Sequence, residues 1–330
     1  MEFISDYGLF LAKTVTVVLV PMLAMIWGLA LVVKLKPSRE ERIEVKHLNQ
    51  KFEAMSLSLQ AAMLPKKALK QVLKQIKTEH KKEEKRVLQD SPLRKKKVFV
   101  LSFKGDVQAS AVSSLREEIT AILMVAGSGD EVILRLESVG GVVHGYGLAA
   151  SQLKRIRDGG IPLTVAIDHI AASGGYMMAC VADRIIASPF AVIGSIGVVG
   201  QLPNFNRWLK NYDIDFELHT AGEYKRTLTL FGENTEKNRE KFRADLEETH
   251  ALFKHFVQEN RPQVEIAQVA TGEYWYGTRA LELKLVDEIR TSDDYVRKAS
   301  EVADVFEVAY KRKKTAMERL LTAASAAIKR

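Results

Sequence analysis

The feature that most constrains this chain is an alternation of strand-like and helix-like stretches. Lys97 to Phe103 is rich in strand formers, a helical pattern runs from about Ser110 to Val125, and a Gly-Ser-Gly-Asp turn leads into strand-like Glu131 to Leu136. That order argues for an α/β domain. The pattern continues through the Gly140-Gly141 pair, a helix to about Arg157, the apolar run Pro162 to Ile167, and helix-compatible Tyr176 to Ala182. Hydropathy from Tyr176 to Val199 resembles a membrane span, but Asp183, Arg184 and Pro189 interrupt it, and short runs bounded by Gly and Pro suit buried strands better. A polar helix is expected around Asn204 to Tyr212, then a strand over Asp215 to Thr220. A long amphipathic helix follows from Thr235 to Asn260, covering the sheet or making a subunit contact, and Gly272 to Ile289 supplies a turn, a short helix and a closing strand.

Ahead of this domain the composition changes. Tyr7 to Val33 is apolar apart from Lys13 and a few threonines, long enough at helical rise to cross a bilayer, and its acidic start (Glu2, Asp6) is wrong for a cleaved signal peptide. Residues 1–34 are therefore expected to be a transmembrane anchor. The chain's net charge of +8 is concentrated in Leu35 to Val98, which carries about ten more Lys and Arg than Asp and Glu. A basic block beside a membrane span more often meets anionic lipid than nucleic acid. Ile43, Leu48, Phe52, Met55, Leu59 and Met63 form one apolar stripe, and Leu69, Val72, Leu73 and Ile76 a second, so residues 35–96 are expected to be two helices broken at Pro65, with a boundary at Ser91-Pro92. The main α/β domain is expected over 97–310, and the Ala-rich basic segment 311–330 is expected to be an amphipathic tail. The single cysteine, Cys180, excludes an internal disulfide and sits in an apolar run suited to a packed, inert thiol.

The chemistry centres on Ile167 to Met178, I-D-H-I-A-A-S-G-G-Y-M-M. Ser173 falls where a strand gives way to a helix, and the two glycines after it permit a tight turn whose first free amides face a developing oxyanion. A Ser-Gly-Gly turn that merely caps a buried helix fits the same residues. Asp168 and His169 invite a Ser-His-Asp triad, but neighbours on a strand point to opposite faces. His144 has no evident carboxylate to orient it. A lysine base works only when neutral, a state favoured by burial or nearby positive charge. In A-G-E-Y-K-R-T, Lys225 lies beside Tyr224, and a Ser173-Lys225 dyad would use amides of the Gly140-Gly141 and Ser173-Gly174 turns as its oxyanion hole.

The ordered set E-S-V-G-G, A-A-S-G-G-Y, G-S-I-G-V, G-E-Y-K and A-L-E-L-K-L-V-D-E-I, spanning about Val98 to Ile289, resembles the signal peptide peptidase A family of serine-lysine peptidases. The resemblance implies a ClpP/crotonase-like α/β fold of repeated ββα units and peptide bond hydrolysis at the bacterial inner membrane, without metal or cofactor. It implies Ser173 as nucleophile, Lys225 as general base, Gly141 as an oxyanion donor and Gly174 as its partner, with Gly140 in the same turn. It also implies homo-oligomers, in some of which serine and lysine come from neighbouring copies. Where relatives commonly carry Ser-Pro-Gly-Gly this chain has Val139, which leaves both glycines but a less rigid loop. No histidine occurs near Gly197 and Val198, where ClpP-type relatives carry one, and this favours lysine as the base. The resemblance favours a periplasmic site, whereas basic Lys34, Lys36, Arg39 and Arg42 favour the cytoplasm. The rival readings are an idle membrane scaffold that assembles and binds peptides, and an acyl-CoA enzyme that presses Glu137 into service.

Overall fold

The computed structural model describes residues 8–10, 13–23, 27–28, 41–89 and 95–312, the side chains of 79–89 excepted. The chain divides into two compact units, Glu44–Ala309 and a terminal unit of Met1–Ile43 with Tyr310–Arg330. In the terminal unit, residues 8–10 and 13–23 are helical. The rest of the expected anchor lies largely outside the described residues, as does the tail beyond residue 312. Among the described residues, no helix is long and apolar enough to cross a membrane.

The larger body is built on a seven-stranded sheet. Its strands are β1 (Arg42–His47), β2 (Lys97–Lys104), β3 (Glu131–Glu137), β4 (Leu163–Ile167), β6 (Arg184–Ala187), β9 (Glu288–Ile289) and β10 (Asp304–Lys311), in the order β1-β10-β2-β3-β4-β6-β9. From β10 to β9 every pairing is parallel. Parallel strands need crossover connections, here helices α3 (Val112–Leu123) and α4 (Val143–Asp158), which pack together on one face, while Leu48 and Val296, from helices Leu48–Met63 and Ser292–Val302, pack on Val98, Val100 and Ile133 of the other, so both sheet faces are covered. That explains the near-continuous apolar runs: all five residues of β4 are buried, as are Val98 to Leu101 of β2 and Val132 to Leu134 of β3.

A smaller sheet, in the order β5-β7-β8, combines β5 (Ile170–Ala172) and β7 (Val192–Gly194) in parallel with β8 (Tyr274–Tyr276) antiparallel to β7. The chain leaving β3 joins it as well, for Ser138 N–H donates to Ile170 C=O (2.8 Å) and Ala172 N–H to Ser138 C=O (3.0 Å). The carboxyl ends of β3, β5 and β7 are thereby gathered in one place, the position at which open α/β sheets bind ligands. Helix α5 (Gly174–Ala179) starts directly from β5.

The segment before β2 departs from the expected pair of helices at its start. Helices α1 (Leu48–Met63) and α2 (Lys66–Gln89) do break at Pro65, but Ile43 belongs to β1. The reason is long-range pairing at the sheet edge, which a helical reading of isolated periodicity cannot see. The first turn of α1 is also part of the body. Leu48 is buried with Val98, Val100, Ile133, Val296 and Val305. Asn49 donates to Ser300 and Ala303 C=O (2.9 Å each) and accepts from Val305 N–H (2.8 Å).

Past β7 come α6 (Asn206–Lys210), α7 (Glu236–Asn260), α8 (Ile266–Val269), α9 (Gly277–Glu282) and α10 (Ser292–Val302). Asp215 to Thr220, expected as a strand, is irregular. Its alternating Phe216 and Leu218 are 44% and 46% exposed, and among the described residues no strand pairs with them. Helix α7 starts at Thr235, whose side chain caps Asn238 N–H, and buries only Phe253 and Val257. Its far end is locked by Arg261, whose guanidinium meets both carboxylate oxygens of Asp287 (2.7 and 2.8 Å) and Lys284 C=O (3.0 Å). Cys180 is buried and its burial pushes the thiol well above its ordinary range, as suits a packed, unreactive side chain.

Candidate active site

Ser173 occupies the junction between β5 and α5 with φ 52° and ψ −119°, a backbone region that favours glycine. Holding a serine there costs about 1–3 kcal/mol, and such strain persists only where the surroundings enforce it. They do so from both sides. Ser173 N–H donates to Gly194 C=O at the end of β7 (2.8 Å), and Ser173 C=O accepts from Met177 N–H (3.0 Å). The following glycines are required by close approach: a Cβ on Gly174 would lie 2.4 Å from Tyr146 Cγ, and one on Gly175 would lie 2.6 Å from Ser138 C=O.

The turn after β3 packs directly against this serine. Gly140 has φ 91°, and a Cβ there would stand 2.8 Å from Ser173 Cβ and 2.7 Å from Gly174 N. A Cβ on Gly141 would meet Val107 C=O at 2.1 Å. The three glycine amides differ in use. Gly140 N–H donates to Ser138 Oγ (3.0 Å), whereas Gly141 N–H and Gly174 N–H find no acceptor among the described residues. Two unused donors beside a strained serine form an arrangement suited to a tetrahedral oxyanion.

The expected base comes from a different segment of the chain. Lys225 is exposed in the irregular stretch between α6 and α7, its own N–H bonded to Gly222 C=O (3.2 Å). Among the described residues its side-chain nitrogen makes no hydrogen bond or ion pair, to Ser173 or to any other group. Its neighbour Glu223 is tied to Lys237 (2.6 Å), and that hydrogen bond holds the Glu223 carboxyl below the usual carboxylate range. The surrounding stretch carries exposed apolar side chains, including Phe205, Trp208, Tyr212 and Tyr224.

The histidine alternatives do not assemble. Asp168 accepts from both Ser292 N–H (2.8 Å) and Ser292 Oγ (2.5 Å), which leaves it anchoring α10 rather than orienting a base. His169 is exposed, and so is His144 in the first turn of α4. Glu137 pairs with Lys104 at 2.8 Å. Sequence reasoning missed Gly194 as the group that seats Ser173, although its G-S-I-G motif was visible. It also missed Ser138 and Tyr146 behind the glycine turn. Tyr146 carries no local signal beyond being a buried aromatic.

Comparison with known proteins agrees with the motif resemblance. Residues 2–153 match the model for the peptidase family S49 N-terminal region, and residues 155–306 match that for peptidase family S49. The probable protease SohB of Haemophilus influenzae is 48% identical over 327 residues, covering 96% of this chain and 92% of that protein. The probable protease SohB of Buchnera aphidicola subsp. Acyrthosiphon pisum is 63% identical over 225 residues, 68% of this chain and 67% of that protein. Among solved structures, a mutant of the 1510-N membrane-bound stomatin-specific protease with a substrate peptide covers 71% of this chain and 100% of its own at 12% identity and a TM-score of 0.43, too loose an overlap to argue from. The two family models together with full-length relatives at this identity place the chain in peptidase family S49.

Proposed function

We propose that this protein is a serine endopeptidase with a ClpP/crotonase-like body, anchored through residues 1–34 at the bacterial inner membrane, that cleaves signal peptides or fragments of membrane proteins. The single observation that carries the catalytic reading is the strained Ser173 with the unused N–H groups of Gly141 and Gly174 beside it. Ser173 Oγ attacks the scissile carbonyl carbon while Lys225 takes its proton. The two amides hold the oxyanion, and Lys225 returns the proton to the leaving amine. Water then hydrolyses the acyl-enzyme by the same route. Gly140 serves this reading as the hinge of the turn rather than as a donor, its N–H being engaged by Ser138.

Lys225 belongs to the dyad by motif match, and its exposure supports a dyad completed between neighbouring copies. The exposed aromatic residues around it supply apolar surface for such a contact. Contact with lipid headgroups is supported by the exposed Lys66, Lys67, Lys70, Lys74 and Lys77 along α2.

Mixing separates the possibilities. Ser173→Ala and Lys225→Ala chains are each expected to be inactive on a fluorogenic peptide, and co-assembly of the two restores part of the wild-type rate. A mixture that stays silent beside an active wild type puts both residues of the dyad in one chain. An assembled wild type without activity favours the idle scaffold.

A further inference from the structure

Behind the glycine turn runs a continuous chain of hydrogen bonds that ends on the backbone at Asp106. Gly140 N–H donates to Ser138 Oγ (3.0 Å), Ser138 Oγ lies 2.5 Å from Tyr146 Oη, and Tyr146 Oη donates to Asp106 C=O (2.7 Å). A phenol has one proton, and Tyr146 gives it to Asp106. The hydroxyl of Ser138 must therefore donate to Tyr146, which leaves a Ser138 lone pair for Gly140 N–H. Every link has one direction, and both side chains are buried, Ser138 at 2% and Tyr146 at 0% exposure. Burial also pushes the Tyr146 phenol above its ordinary value, keeping it a neutral hydroxyl able to do both jobs.

We infer that Tyr146 and Ser138 are positioning residues that aim the oxyanion-binding amides, an inference that rests on the peptidase reading above. With Gly140 N–H held inward, the peptide plane ahead of Gly140 is fixed, and the backbone of Gly140, with φ 91°, leads from that fixed plane to the next amide, Gly141 N–H. The same tyrosine reaches the second donor through its ring, which lies so close to Gly174 that no Cβ fits there. One side chain thus braces the turn after β3 with its hydroxyl and the start of α5 with its face. The loop after β2 backs the arrangement, since Val142 N–H donates to Val107 C=O (2.9 Å) and Asp106 is itself pinned by Ser110 N–H (2.8 Å). Neither residue touches the reacting atoms, so their effect lies on turnover rather than on peptide binding.

The test is the kinetics of Tyr146→Phe, Ser138→Ala and the double variant on one peptide, with Phe103→Leu as a packing control because its ring sits edge-on to Tyr146. Misaimed donors are expected to lower kcat about 10- to 100-fold with KM within about twofold, less than outright loss of an oxyanion donor. Because both residues act in one chain, the double variant falls no more than about twofold below the weaker single. Phe103→Leu lowers the melting temperature while keeping kcat. Wild-type kcat in both hydroxyl variants, a change in KM alone, additive losses, or an equal fall in Phe103→Leu overturns the inference while the peptidase reading stands. If wild type shows no Ser173-dependent cleavage the peptidase reading fails, and amide hydrogen exchange then decides the structural part. Exchange at Gly140 that is about tenfold or more faster in Ser138→Ala upholds the chain as the brace of the turn, and unchanged exchange removes it.

Discussion

Ser173→Ala lowers peptide hydrolysis by about 10⁴- to 10⁶-fold, the range seen when a hydrolase loses its nucleophile and keeps only its oxyanion hole and binding surface. The fold does not change with it. Ser173 Oγ makes no hydrogen bond among the described residues, and its backbone contacts to Gly194 and Met177 survive any side chain. Stability of the alanine variant therefore stays within about 0.5 kcal/mol of wild type. Ser173→Gly sharpens the contrast: it is equally inactive, yet it relieves a φ of 52° that suits glycine, and gains about 1 kcal/mol. Steady-state hydrolysis and urea unfolding of the three proteins measure both quantities. Substantial cleavage by both variants would remove Ser173 from the chemistry, and a glycine variant no more stable than wild type would remove the strain.

The largest effect on stability is expected at Asp287→Ala. The Arg261 side chain is 3% exposed, and Asp287 supplies both of its anionic partners while also accepting Ile185 N–H (2.7 Å). Deleting the carboxylate leaves a buried guanidinium with neutral partners alone, Lys284 C=O and the side-chain oxygen of Gln263, along with an unpaired strand amide. Breaking a buried pair in this way costs about 3–5 kcal/mol, and the lower half of that range applies here because water reaches the partly exposed Asp287. Arg261→Met, which removes the charge together with its need for a partner, loses less. Denaturant midpoints of the two variants test the ordering, and an Asp287→Ala protein with the wild-type midpoint would show that α7 is held by its apolar contacts alone.

The parts of the fold legible in the sequence are those whose pattern has a local cause. Strands β2, β3 and β4 announce themselves because a sheet covered on both faces needs unbroken apolar runs. Ser173 could be placed at a strand-to-helix junction because the glycines after it mark the turn. What escaped depends on distant partners. Strand β1 exists because β10 lies beside it, and β10 in turn pairs with β2, far away in sequence, whereas α10 carries a local start signal in Thr291 with Asp293 and Asp294 in its first turn. Asp215 to Thr220 shows the opposite error, where alternation promised a strand and no partner strand is found among the described residues. In the glycine turn, composition treats Gly140 and Gly141 alike. Only the capture of Gly140 N–H by Ser138 separates the hinge from the free donor.

The identity of the nucleophile is tested most directly by reacting the assembled protein with a serine-directed fluorophosphonate and mapping the adduct by peptide mass spectrometry. The expected result is a single adduct on Ser173, abolished in Ser173→Ala and strongly slowed in Lys225→Ala. An adduct on any other residue, or labelling of Ser173 at the wild-type rate without Lys225, would contradict the Ser173-Lys225 dyad.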